Sequence, residues 1–333
     1  MKRRTGGSRA VCPLLFFLLF AGGCASKPLS VTRTDIALGT YVKIVIITDR
    51  RNREQAQTTI DQVYKEVAVW ESAFSYRGEG SDLSRFNGGS SISREENPLL
   101  FDLLTKSLEY ARLMEGHFDP TVLPLVRAWG FDTNSPALPS PREIRDALDR
   151  VGYKRVRLMP NRIDKPEYVQ FDLSGVAKGR IVDLTREFIR EAGFSNFLMD
   201  AGGDIYVSGR NLRGSAWRIA IQDPDNHERY SGILEKSDTA IVTSGDYENF
   251  FEREGRRYSH LLNPFTGYPE SDIRSVTIVA AETAFADAVA TGVFVMGSRK
   301  GFSFLEERGI EGLILYENTE GLLQSKSTPR FWN

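Results

Sequence analysis

The sequence predicts an α+β fold, and three observations carry that reading. Strand-forming runs cluster in the second half of the chain instead of alternating with helices. Apolar residues recur at three- and four-residue spacing in separate segments, as in helices that bury one face. Capping residues and glycines stand at the ends of those segments. Two interleaved subdomains fit this pattern, and no repeat, low-complexity tract or linker marks a boundary between them.

Taken in order, residues 33–48 alternate and are rich in β-branched side chains, which reads as a first strand. Ile60, Val63, Val67, Trp70 and Phe74 form one apolar helix face. A second helix is expected over residues 98–115, with Leu100, Leu103, Leu104, Leu108 and Ala111 inward and Gly116 as its stop. A third starts at Ser140-Pro141-Arg142-Glu143, a capping box with proline in the first turn, and ends by Gly152. A fourth follows the loop from Gly175 to Gly179 and stops near Gly193. Strands are then expected at 196–207, 216–222, 239–243, 257–262 and 273–280. A helix over 283–296, a short one near 300–308 and a last strand at 312–316 complete the set.

Composition excludes several kinds of chemistry. With 43 Lys+Arg against 44 Asp+Glu, there is no electrostatic basis for nucleic-acid binding. Both cysteines, Cys12 and Cys24, fall at the very start of the chain. The rest therefore has no disulfide framework, cysteine-ligated zinc, iron–sulfur cluster or cysteine nucleophile. Three histidines exclude a histidine-rich metal site.

The first residues read as an export address. Lys2, Arg3, Arg4 and Arg9 precede the apolar run Val11 to Phe20 and then Ala21-Gly22-Gly23-Cys24. That run is short for a membrane span. The segment around Cys24 resembles a bacterial lipoprotein box, with Ala21 where leucine is usual, so Cys24 is expected to be lipidated. The expected organisation is a signal peptide over 1–23, an anchor and linker over 24–32, and one folded domain over 33–330. Removing residues 1–23, with four basic and no acidic residues, takes the net charge from −1 to −5.

Neither a Walker-type Gly-Lys-Ser, a Gly-x-Ser-x-Gly elbow nor a His-Glu-x-x-His is present. Five polar, glycine-bearing clusters are more informative. Asp172-Leu-Ser-Gly-Val-Ala-Lys-Gly-Arg180 precedes a helix. Gly175 and Gly179 would let backbone approach a ligand, the helix start offers N–H groups to an anion, and Lys178 adds a mobile charge. A tight turn with a solvated lysine accounts for it as well. Asp200-Ala-Gly-Gly-Asp204 and Thr243-Ser-Gly-Asp-Tyr247 fit either turns or site loops. In Tyr258-Ser-His-Leu-Leu-Asn-Pro-Phe-Thr-Gly267, His260 is either a structural histidine or a base that takes a hydroxyl proton near neutral pH. In Ala286-Asp-Ala-Val-Ala-Thr-Gly292, Asp287 and Thr291 share a helix face and offer hard oxygens to Mg²⁺. Together the clusters favour an oxygen-held metal near a phosphate-bearing ligand, without naming the substrate.

As an ordered set, these motifs resemble the FAD:protein FMN transferase (ApbE) family, from Leu38-Gly-Thr40 through Phe294-Val-Met-Gly297. Gly116-His-Phe-Asp-Pro-Thr-Val-Leu-Pro-Leu-Val126 resembles a further family motif. The resemblance implies two interleaved α/β subdomains with mostly antiparallel sheets around an FAD cleft. It implies an enzyme that cleaves FAD, releases AMP and joins FMN through a phosphoester to a threonine or serine of another protein. By the same resemblance, Mg²⁺ would be held by Asp287, Thr291 and the backbone carbonyl of Gly175. FAD would be contacted by Leu38 (through backbone), Tyr76, His117, Phe118, Asp119, Asp172 and Lys178, and His260 would be the base.

Two departures stand out: Leu38 replaces the usual methionine, and the family often has its aromatic at the Arg77 position, one after Tyr76. Two other readings share the motifs: an FAD pyrophosphatase with water as acceptor, and a flavin-binding lipoprotein without turnover. The expected partners are exported or membrane-embedded proteins with an Asp-Gly-x-Ser/Thr acceptor motif. The expected location is a lipid anchor facing the periplasm or the cell exterior. Ala25 is not the aspartate linked with inner-membrane retention, so either membrane fits.

Overall fold

The structure, a computed structural model, describes residues 27–333 apart from 79, 134, 227, 270 and 271. The expected signal peptide and Cys24 lie outside the described residues. The chain begins with a hairpin of β1 (Leu29–Ala37) and β2 (Thr40–Thr48), then helices α1 (Arg53–Phe74) and α2 (Asp82–Gly88). Next come β3 (Ser91–Ser93), α3 (Pro98–Leu113), α4 (Leu123–Ala128) and α5 (Pro141–Leu148). Short strands β4 (Arg157–Met159) and β5 (Arg162–Asp164) lead to α6 (Ser174–Glu191). The strand-rich part holds β6 (Phe197–Ala201), β7 (Asp204–Ser208), β8 (Trp217–Gln222), β9 (Tyr230–Lys236) and β10 (Thr239–Gly245). It continues with β11 (Phe250–Arg253), β12 (Arg256–Ser259) and β13 (Ile273–Ala280). Helix α7 (Thr283–Arg308) and strands β14 (Glu311–Glu317) and β15 (Leu323–Ser327) finish the fold.

The α+β class holds. Eight strands form one antiparallel sheet in the order β1-β2-β6-β7-β10-β13-β14-β15. Its inner strands β10, β13 and β14 are apolar on both faces because both are covered. Val42, Ile44 and Ile46 of β2 point into the main core, which α1, α6 and α7 complete. Val207, Ile241, Leu313 and Leu315 point the other way, onto Trp217, Ile219 and Leu234 of the β8–β9 hairpin and onto Phe331. A third cluster gathers α4, α5 and Trp129 beside Phe251 and Tyr258 of the β11–β12 hairpin.

Glycines and turns divide what periodicity alone runs together. The expected first strand is two, because Leu38 (φ 57°) and Gly39 (φ 70°) make a tight turn. The expected strand over 196–207 folds back at Gly202 and Gly203. The expected helices over 283–296 and 300–308 are one element broken at Gly297 (φ 78°). Pairing of Leu29 with Thr48 starts β1 four residues before the expected domain start at residue 33. Strands β9, β11 and β15 are absent from the expected set because they are polar or edge strands without a clean alternation.

The capping box at Ser140 is formed as the sequence predicts. The N-terminus of α7 has no local side-chain cap. Buried Asp183 of α6 supplies one instead, accepting from Thr283 N and Ala284 N at 2.9 Å each. Asp183→Ala is expected to cost about 2 kcal/mol in urea unfolding, since two buried N–H groups lose their acceptor.

Candidate active site

One cleft of about 610 Å³ opens at the end of the large sheet, in the size range of a small-molecule site. Leu38, Tyr76, His117, Phe118, Asp119, Asp172, Gly175, Lys178, His260, Asp287 and Thr291 all line it. Residues spread over more than 250 positions are gathered because sheet order returns the turns of β1–β2 and β6–β7 to one edge, beside α6 and α7.

The crossing of α6 and α7 organises one wall. A Cβ on Gly179 would lie 2.6 Å from Thr283 O and 2.8 Å from Ala284 Cα, so only glycine allows this approach. Gly179 is thus a helix-packing residue and not, as the sequence suggested, a point of ligand approach. Its N–H donates to Asp287 Oδ2 at 3.0 Å. One turn earlier, Gly175 leaves helical dihedrals (ψ 17°), and a Cβ there would lie 3.1 Å from Thr291 Oγ1. We expect Gly179→Ala to destabilise the fold by about 1–3 kcal/mol in urea unfolding, since neither backbone can yield.

Charge is concentrated beside this crossing. Lys178 is not mobile: Nζ lies 3.1 Å from Asp204 Oδ1 and 3.4 Å from Gly202 O. Burial works against its charge, but Asp204, Glu248 and Asp287 outweigh it and raise its pKa. Burial raises both Asp204 and Asp287, and the two carboxyls perturb one another. Asp204 Oδ2 is buried with no partner. Two facing carboxyls with a single nearby ammonium cannot both carry charge cheaply, so the pair holds a proton on Asp287 that a cation could replace.

His260, also lining the cleft, follows β12 at the base of the β11–β12 hairpin. Asn249 O lies 3.0 Å from His260 N and 3.1 Å from Nδ1. A carbonyl only accepts, so Nδ1 carries the proton and Nε2 keeps its lone pair. Loss of water around the ring lowers its pKa to about 4, so the imidazole is neutral at pH 7. Glu248, beside Asn249, also lines the cleft. Desolvation raises it and Lys178 opposes, leaving it at about 7.

The remaining predicted residues shape the cleft. Asp119 Oδ1 accepts from Thr121 N (2.8 Å) and Oγ1 (2.6 Å), and Oδ2 accepts from Tyr153 N (2.9 Å). Its carboxylate therefore holds its own loop together. Asp172 Oδ1 accepts from Ser174 N at 2.8 Å, steering the chain into α6. His117 donates through Nδ1 to Met114 O, its Nε2 accepts from Lys300 Nζ at 3.1 Å, and Phe265 packs 5.0 Å from its ring. Arg77 donates from Nε to Tyr76 Oη (3.3 Å) and from Nη2 to Phe131 O (3.0 Å), placing a guanidinium beside the phenol.

Asp204, Glu248 and Asn249 were not singled out as site residues in the sequence. Asp204 closes a motif that an ordinary turn explains. Asn249 acts through a backbone carbonyl, which no side-chain pattern encodes.

Residues 38–314 match the ApbE family. A FAD:protein FMN transferase of Vibrio cholerae is 34% identical over 322 residues, covering 93% of this chain and 95% of that protein. The solved structure of the flavin transferase ApbE from Vibrio cholerae superposes with a TM-score of 0.80 at 30% identity, over 91% of this chain and 98% of that one. The crystal structure of the ApbE protein from Thermotoga maritima gives 0.83 at 30% identity, over 91% and 98%. Matched in sequence and in fold over most of its length, the chain belongs to the ApbE family.

Proposed function

We propose that this enzyme cleaves FAD and joins its FMN half to a threonine or serine hydroxyl of another protein, releasing AMP. The observation that carries the reading is one cleft lined by a neutral His260, whose Nδ1 is engaged by Asn249 O, together with Lys178 and the α6–α7 oxygen cluster. The acceptor hydroxyl gives its proton to His260 Nε2 as its oxygen bonds to the FMN phosphorus. The bond to the AMP oxygen breaks and AMP leaves with that oxygen. Lys178 pairs with phosphate oxygens, and Leu38, Tyr76, His117, Phe118 and Asp172 wall the dinucleotide. Asp119 contributes by fixing its loop.

The residues fit Mg²⁺. Among the described residues no three Asp, Glu or His side chains group as a metal site. A cation here would rest instead on Asp287, Thr291 Oγ1 and the Gly175 carbonyl, with ligand oxygens and water completing its shell, as Mg²⁺ accepts. The unpartnered Asp204 Oδ2 supports a missing positive charge at this place. Mg²⁺ supplies neutralisation of charge on the phosphoryl oxygens.

The export signal over 1–23 and the box at Cys24 support an exported, lipid-anchored enzyme acting on periplasmic or cell-surface targets. No helix among the described residues is long and apolar enough to cross a membrane. The test mixes mature protein, FAD, Mg²⁺ and a peptide carrying Asp-Gly-x-Thr. An FMN-sized mass on the threonine with one AMP per adduct is expected. Free FMN and AMP with unmodified peptide would make it a pyrophosphatase, and intact FAD would leave only flavin binding.

A pH effect is expected from Glu248. Neutral below about 7 and charged above, it opposes the diphosphate beside Lys178 as pH rises. FAD affinity, read by fluorescence titration, should fall roughly threefold to tenfold between pH 6 and 8. The limb should vanish in Glu248→Gln.

A further inference from the structure

We infer that the sheet end from which the chain emerges docks on anionic phospholipid headgroups and holds the cleft facing away from the membrane. This rests on the lipid-anchor reading of Cys24. The geometry comes from strand register. Leu29 pairs with Thr48 at one end of β1, and Ala37 with Thr40 at the other. Turns 49–52 and 209–215 lie at the first end, because Phe197 sits opposite both Ile46 and Ser208. Ile47 N donates to Asn196 O at 2.8 Å and Arg210 N to Asn196 Oδ1 at 2.7 Å, tying that end together. Leu38, Gly202 and Asp204 of the cleft lie at the second end. Nine residues of strand separate the two ends by roughly 30 Å.

The tether is short. Only Ala25, Ser26, Lys27 and Pro28 separate Cys24 from β1, so an acylated Cys24 keeps the start of β1 within about 18 Å of the bilayer. That end is also cationic. Lys27, Arg50, Arg51, Arg53, Arg210 and Arg213 are exposed there, and among the described residues none of them is ion-paired. The acids nearby are Asp49, Glu54, Glu191 and Asp238; Asp49 Oδ1 is engaged by Arg51 N and Asn52 N, and Asp238 Oδ1 by Gly209 N and the Arg190 guanidinium. A cationic end on a body of net charge −5 fits an anionic headgroup layer. A membrane-embedded partner must then present its acceptor hydroxyl on a segment that projects well above the bilayer.

The mature sequence has no cysteine beyond Cys24, so an added one takes dye at a single place. The lipoprotein is labelled at Leu212→Cys, beside the arginines, or at Ile36→Cys, near the cleft. Each is reconstituted into phosphatidylethanolamine/phosphatidylglycerol or phosphatidylcholine vesicles carrying an acceptor-dye lipid. On phosphatidylglycerol, energy transfer from position 212 should exceed that from 36 at least fivefold. On phosphatidylcholine the difference should fall below twofold. The variant Arg50→Glu/Arg51→Glu/Arg213→Glu should lose the difference while flavinylating soluble peptide at the wild-type rate. Equal transfer from both positions on phosphatidylglycerol, or a difference that survives in the triple variant or on phosphatidylcholine, overturns the docking surface. A mature chain without acyl mass on Cys24 overturns the anchor reading and this inference with it, while peptide flavinylation reports separately on the transferase reading.

Discussion

Asp287→Ala is expected to lower Mg²⁺-dependent FMN transfer at least a thousandfold, about 4 kcal/mol of barrier, while the protein stays folded. Asp287 is the cleft-lining carboxylate that ties α7 to α6, through Gly179 N at 3.0 Å. Its removal takes away both a charge for the cation and the register of Thr291 against Gly175. The fold survives because Asp287 is itself a source of stress. Burial and Asp204 raise its pKa well above the ordinary value, so its contribution to stability is full below about pH 4 and is lost as pH rises through the folded value. At pH 7, a cation should relieve that stress. Mg²⁺ should therefore raise the melting temperature of the wild type and leave that of Asp287→Ala unchanged. Asp287→Asn, whose amide oxygen still accepts from Gly179, should behave as the alanine variant does in activity. Unchanged AMP release in either variant would remove Asp287 from the site.

His260→Ala is expected to slow single-turnover transfer roughly a hundred- to a thousandfold, with the FAD dissociation constant within about threefold of wild type. The separation follows from geometry. His260 is held through its own backbone and Nδ1 by Asn249 O, and offers Nε2 alone to the cleft, whereas the anion-binding charge is proposed to be that of Lys178. With a pKa of about 4, His260 should keep its activity as a base down to about pH 5. Any limb near pH 7 then belongs to Glu248. Single-turnover rates from pH 5 to 8 check this. Equal loss of binding and rate in His260→Ala would make it a binding residue.

Much of the fold was legible because its elements carry local signals. The α1 face, the Ser140 capping box and the apolar run of β13 follow from spacing alone. What failed were boundaries at positive-φ residues, such as Leu38-Gly39 and Gly202-Gly203, where periodicity continues across a reversal of direction. The four-residue strand β11 and the polar strand β15 take their structure from a paired neighbour and not from a pattern of their own.

The site divides in the same way. By itself, the sequence determined the chemical inventory: oxygen ligands in place of thiolates, one histidine worth testing, a lysine-bearing loop and an ordered motif set. These are properties of residue type and spacing. Only the tertiary structure decided that Gly179 serves helix packing, that Lys178 is clamped by Asp204, and that Asn249 sets the His260 tautomer. Each depends on groups brought together across the fold, where burial changes the cost of charge and a backbone carbonyl acts as a side chain would.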